Sequence, residues 1–114
     1  ATVAELLGVP IPDNAGEDSV SLLPLLRGSA TSVRQHAISC GVNGTQALRD
    51  GPWKLICLPK PQLYHLGDDL GERIDLAEKH PERVRDMLAL RERFITEGRT
   101  TAGTPQRNDV PVRR

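Results

Sequence analysis

His36, Cys40, Cys57 and His65 are the residues whose types could bind a metal or attack a substrate. His36 and Cys40 lie four apart, which on a strand puts them on one side. The Cys-x-x-Cys spacing of compact zinc sites is absent, and two cysteines fit neither a four-thiolate site nor a disulfide-dense scaffold. They read as partly buried free thiols, with a single disulfide between them as the alternative. No local signature joins a Cys or Ser to a His as an activated nucleophile. The acidic loop with Asp68, Asp69, Glu72 and Asp75 lacks the alternating spacing and closing Glu of a calcium loop. It reads as a turn that caps a helix, with Arg73 as local neutralisation. Asn43-Gly44-Thr45 is formally a glycosylation acceptor, but a type I′ hairpin turn already explains it. Arg49 and Lys54 could hold an anion at a sheet corner, although surface charges on a hairpin are the commoner case. From residue types alone, the chain has no catalytic residue and no metal ligand.

Composition narrows the classes further. The chain has 114 residues, with 15 basic and 15 acidic side chains and a formal net charge of zero. One domain with a modest core is expected, and the charge balance gives no bias toward nucleic acid or anionic membranes. The apolar runs are too short to span a bilayer. The chain opens inside a helical pattern without an initiator Met, which reads as part of something longer.

The elements that must position these residues can be read in order. "TVAELLG" has the capping-box pattern Thr2 and Glu5 and stops at Gly8, a short helix. Pro10, Pro12 and Gly16 then enforce an irregular path. "SVSLLPLLRG" allows a single turn capped by Ser21 and ended by Gly28. From Gln35 the pattern becomes strands: "QHAISCG", "QALRD", "PWKLICL" and "QLYHL", joined by Asn43-Gly44, Asp50-Gly51 and the Pro59–Pro61 stretch. From Pro81 to Gly98, Val84, Met87, Leu88, Leu90, Phe94 and Ile95 fall in an arc of about 160° at helical spacing. Arg83, Arg85, Asp86, Glu92 and Arg93 line the other side and read as solvated. The expected fold is α+β: a small four-stranded antiparallel sheet with one long amphipathic C-terminal helix, roughly 81 to 97, packed on one face. After Gly98 an extended tail needs a partner surface to be ordered.

These segments, in this order, resemble the carboxy-terminal end of the formylglycine-dependent sulfatases, the arylsulfatase A-like group and especially its bacterial members. "TVAELLGVPIPD" is similar to the last helix of their large α/β domain, and "EDSVSLLPLLRG" to the "DGxSLLPLL" linker that leaves it. "HAIS…ALRDGPWKLI" resembles the central hairpin of their small domain. "QLYHLGDDLGERIDLAEKHPERVRDML" resembles the signature "LYDLxxDPxExxNLAxxxPExxxxL", and "EGRTTAGTPQRNDVPV" the tail "EGRSTPGxxQxNDVxV". His65, Leu70 and Asp75 depart from that signature, where Asp, Pro and Asn are usual; all three fall in a turn.

The resemblance implies a division at about residue 30. Residues 1–30 would end the catalytic domain and form a linker, and 31–114 would be the C-terminal domain. It implies a parent that hydrolyses sulfate esters with formylglycine and calcium, neither of them in this chain, since no Cys/Ser-x-Pro-x-Arg motif is present. The implied partner is the catalytic domain of the same polypeptide, with neither nucleic acid nor membrane, and with self-association if the segment stands alone. Export to the periplasm or beyond is the family habit. The implied role is structural support plus part of the substrate-cleft wall, with His36 and Arg49 as the cleft candidates and Trp53 anchoring the hairpin to the sheet–helix core. The alternative is a stand-alone interaction module docking through the aliphatic segment 1–28, which would behave as a defined monomer or oligomer with its own partner.

Overall fold

The structure, a computed structural model, describes residues 1–112. Residues 113 and 114, part of the expected C-terminal segment, lie outside the described residues. Two compact units are present. One comprises residues 35–93; the other combines residues 1–34 with 94–112.

The first unit holds β1 (His36–Cys40), β2 (Gln46–Asp50), β3 (Trp53–Ile56) and β4 (Gln62–His65), an antiparallel sheet in sequential order. Its tightest corner is the two-residue loop Gly51-Pro52 between the paired residues Asp50 and Trp53. Gly51 has φ +56°, which the first position of such a loop requires, while Pro52 tolerates the missing ladder donor. The β1–β2 loop, residues 41–45, starts one residue before the expected Val42-Asn43-Gly44-Thr45 connection. Gly44 N–H closes a turn on the Gly41 carbonyl, and the Asn43 side chain accepts from Thr45 N–H. Gly44 has φ +80° and Asn43 does not enter the left-handed region, so this is not a type I′ turn.

Register fixes the faces. Ile38, Leu48, Leu55 and Leu63 stand side by side across the four strands. Leu48, Leu55 and Leu63 are buried, as is Met87 of α3 (Pro81–Glu97); each such side chain contributes about 1.5–3 kcal/mol on burial. The helix is tied to this face at two points: Arg83 donates to Asp50 and Arg91 to Gln46. Eight helical residues rise about 12 Å and four strand residues about 13 Å, so the two contacts match along β2.

In the other unit, α1 (Thr2–Leu7) ends at Gly8, φ +66°, with Val9 N–H bonded to the Ala4 carbonyl. The expected capping box is absent. Ala1 occupies the cap position, and the Thr2 hydroxyl accepts from Leu22 N–H instead. α2 (Leu23–Leu26) starts one residue later than Ser21 implied, although the Ser21 hydroxyl still accepts from Leu23 N–H. Gly98, φ +62°, closes α3 with Arg99 N–H on the Phe94 carbonyl, a Schellman cap. No helix of the described residues is long and apolar enough to cross a membrane.

Candidate functional site

On the helix-facing side of the sheet, one step along from the leucine row, His36, Asp50, Trp53 and His65 form a second row. Period-two alternation puts them on the face of Leu48 and Leu55. The start of α3 adds Arg83, and His80 precedes it. Trp53 meets the His65 ring edge-on at 4.7 Å between centroids and the His80 ring at 5.3 Å, and the Arg83 guanidinium lies 5.7 Å from its ring centre. Trp53 is half-buried, and two imidazoles and a guanidinium surround its ring at the corner. All three histidines of the chain gather here.

Each imidazole has a carboxylate beside it. His36 Nδ1 is 3.1 Å from Asp50, His65 Nδ1 2.6 Å from Asp68, and His80 Nδ1 3.6 Å from Glu82. Asp50 is buried and also accepts from Gln35 Nε2 at 3.0 Å and Arg83 Nη2 at 2.8 Å. Of these three carboxylates, Asp50 is the one that the Arg83 guanidinium pairs with. This arrangement joins the start of the helix to the second strand.

Arg49, the second cleft candidate, is not brought to His36. It lies on the opposite face, in the row Ala37, Arg49, Lys54 and Tyr64. It is exposed, with Nε donating to the Gly51 carbonyl at 3.0 Å. Lys54 in the same row pairs with Glu72 at 2.6 Å. Tyr64 is buried, and burial first, then the nearby Asp75, Glu72 and Asp69, pushes its phenol up. It therefore holds its proton at neutral pH and cannot serve as a base.

Sequence reading placed Arg83 on the solvated side of the helix and gave no role to His80 or Arg99. Position along the helix could not reveal an arginine that turns back to a buried aspartate. The segment after β4 carries a clearer order. Asp75 Oδ1 accepts from Leu63 and Ala77 N–H, and Asp69 Oδ2 accepts from Arg73 and Ile74 N–H. The acidic loop thus caps its own turns and the backbone of β4, not the end of a helix as its composition implied.

The chain's own residues do not fit the groups that the sulfatase resemblance implies. Cys57 sits in Cys57-Leu58-Pro59-Lys60-Pro61, with proline where the formylglycine motif has arginine. Burial pushes its thiol up, against a smaller opposing effect of Arg91. Cys40 is exposed, and both cysteines are free. Among the described residues no group of three or more His, Cys, Asp or Glu is placed to hold a metal ion.

No protein-family model matches the chain. It is similar to an N-acetylgalactosamine-6-O-sulfatase of Bacteroides thetaiotaomicron, 33% identical over 113 residues, covering 84% of this chain and 22% of that relative. A solved sulfatase structure described with the metabolism of multiple glycosaminoglycans by Bacteroides thetaiotaomicron is 32% identical, with a TM-score of 0.71 over 81% of this chain and 23% of that one. A 2-O GAG sulfatase is 25% identical, with a TM-score of 0.62 over 83% of this chain and 23% of that one. The chain therefore spans about a fifth of the length of the curated relative and somewhat more of each solved chain.

Proposed function

We propose, for a chain that is a sulfatase-type domain, that it serves as the C-terminal domain of a sulfate-ester hydrolase. It supports the catalytic domain of the same polypeptide and forms part of the substrate-cleft wall. The boundary near residue 30 belongs to this reading. Formylglycine and calcium belong to the catalytic domain, and the relatives' printed names point to sulfated glycosaminoglycan sugars as the substrate class. The observation that carries the reading is the exposed aliphatic strip of residues 1–26. Val3, Leu6, Leu7, Val9, Leu22 and Leu26 all stand exposed, Leu26 at 74%, in a chain that covers only 22% of the relative's length. A strip of this kind marks a surface that another body covers, and the missing four-fifths supplies that body.

His36 and Arg49 are the cleft candidates. Because they lie on opposite sheet faces, only one of them faces the substrate. The test is steady-state kinetics of His36→Ala and Arg49→Ala in the longer polypeptide on a sulfated disaccharide. One substitution is expected to raise KM about tenfold or more, the scale of one lost charge-assisted hydrogen bond. Unchanged kcat and KM in both would remove the cleft role.

The same strip would serve a stand-alone interaction module docking through residues 1–28. That reading predicts a defined oligomer or monomer of the 114-residue chain, with a separate partner protecting the strip from protease.

A further inference from the structure

Arg99 is 4% exposed, and none of its acceptors is a carboxylate. Its Nε donates to the Thr101 carbonyl at 2.8 Å. One terminal nitrogen donates to the carbonyls of Asp13 at 2.6 Å and Thr104 at 2.7 Å. The other donates to the Ala102 carbonyl at 2.7 Å and the Thr101 hydroxyl at 3.3 Å. A guanidinium has five N–H groups, and each is used. The cleft beside it, lined by Ile11, Asp13, Ser19 and Arg99 among others, is therefore offered no spare guanidinium donor.

The backbone is shaped around this group. Gly103 has φ +141°, and a Cβ there would lie 2.4 Å from Arg99 Nη1. A Cβ on Gly98 would lie 2.1 Å from the Gln106 carbonyl oxygen, and Gln106 N–H returns to the Glu97 carbonyl at 2.7 Å. The stretch is also sewn to residues 13–18. Thr100 donates to Asp18 Oδ1 through its N–H at 2.9 Å and its hydroxyl at 2.7 Å. Thr101 N–H reaches the Glu17 carbonyl and Thr104 N–H the Asp13 carbonyl, both at 3.2 Å.

We infer that Arg99 and residues 100–106 form a strap that holds the linker 13–18 and thereby fixes the two short helices carrying the aliphatic strip. Only the identity of the body that the strip meets rests on the function proposed above. α1 and α2 are too short to be stable by themselves, and the linker between them is held internally by two turn bonds, Ala15 N–H to the Pro12 carbonyl and Ser19 N–H to the Gly16 carbonyl. A buried cation held by uncharged oxygens persists only while the cage is whole, so the strap closes or opens as a unit. Lysine has three donors and no planar fork, and cannot replace it.

The test is amide hydrogen exchange on the 114-residue chain carrying Arg99→Ala or Arg99→Lys. In both, Thr100, Thr101 and Thr104 are expected to exchange at least ~30-fold faster, the scale of one charged hydrogen bond, while Leu48 and Leu55 in the sheet keep their protection. Millimolar ethylguanidinium is expected to restore protection in Arg99→Ala, and ethylammonium is not. Gly103→Ala, which leaves Arg99 in place but drives a methyl into the cage, is expected to open the same amides. Protection of Thr101 and Thr104 surviving Arg99→Ala, or a uniform loss that includes the sheet and ignores ethylguanidinium, would overturn the strap. In the longer polypeptide, added protection of Leu6 and Leu25 tests the docking partner separately; its absence would contradict the proposed function and leave the strap's own readout intact.

Discussion

Arg83 Nη2 donates to Asp50 Oδ2 at 2.8 Å, so the first turn of the long helix is bonded to the last residue of the second strand. The guanidinium spreads over Trp53 at the same time. Removing it leaves a buried carboxylate with Gln35 and His36 as its remaining neighbours. Arg83→Ala is expected to cost about 1–3 kcal/mol, between the values for an exposed and a buried pair because Arg83 is a third exposed. Arg83→Lys is expected to recover part of that. The urea midpoint, followed by the single tryptophan's fluorescence, checks both.

Glu72 is the one non-glycine residue with positive φ among the described residues, at +53°, and it pairs with Lys54. The left-handed conformation costs about 1 kcal/mol for a residue with a Cβ, whereas a partly exposed ion pair contributes about 0.2–1 kcal/mol. Glu72→Gly relieves the first and loses the second, and is expected to be near neutral. Glu72→Ala keeps the strain and loses the pair. Alanine should therefore be the less stable of the two by about 1 kcal/mol, measured by thermal or urea unfolding.

Two backbone donors, Ala77 first and then Leu63, hold the Asp75 carboxyl below the usual carboxylate range. A depressed carboxylate contributes stability that is present above about pH 4 and is lost as pH falls through its lower folded-state value. Wild-type stability should therefore fall on acidification below about pH 4. Asp75→Asn keeps an acceptor oxygen for both donors but cannot titrate, so its acid limb should be flatter. Parallel curves for the two proteins between pH 2 and 5 would contradict this.

Cys57 is expected to react slowly with iodoacetamide in the native chain, since burial raises its thiol, and its rate should climb only at higher pH. Cys40 is exposed and should alkylate first, because reaction follows access and thiolate fraction. Mass spectrometry of the partly alkylated chain orders the two sites.

Much of the fold was legible because its signals are local. The alternation in "HAISC" and "QALRD", the Asp50-Gly51 corner, Pro81 and Gly98 all place elements where the structure has them. The motif resemblance to the sulfatases agrees with the relatives in sequence and in fold. What failed were local motifs that tertiary partners override. Thr2 turns from its own helix to Leu22, and the Asn43-Gly44 pair sits in a loop too long for a type I′ turn. Arg83 and Arg99 were illegible for a related reason. Each is a charged residue whose partners lie far off in the chain, and no period in the sequence encodes them. The faces of His36 and Arg49 needed the register as well: only with Ala37 paired to Arg49 does alternation put the two on opposite sides.

The most direct measurement is inorganic sulfate released from sulfated glycosaminoglycan oligosaccharides. The 114-residue chain would be compared with the longer polypeptide encoded by the same reading frame, which should carry a Cys/Ser-x-Pro-x-Arg motif upstream. Release by the longer polypeptide and none by the chain alone is the predicted result. Release by the chain alone, or none by a folded longer polypeptide on any sulfated sugar tried, would contradict the account.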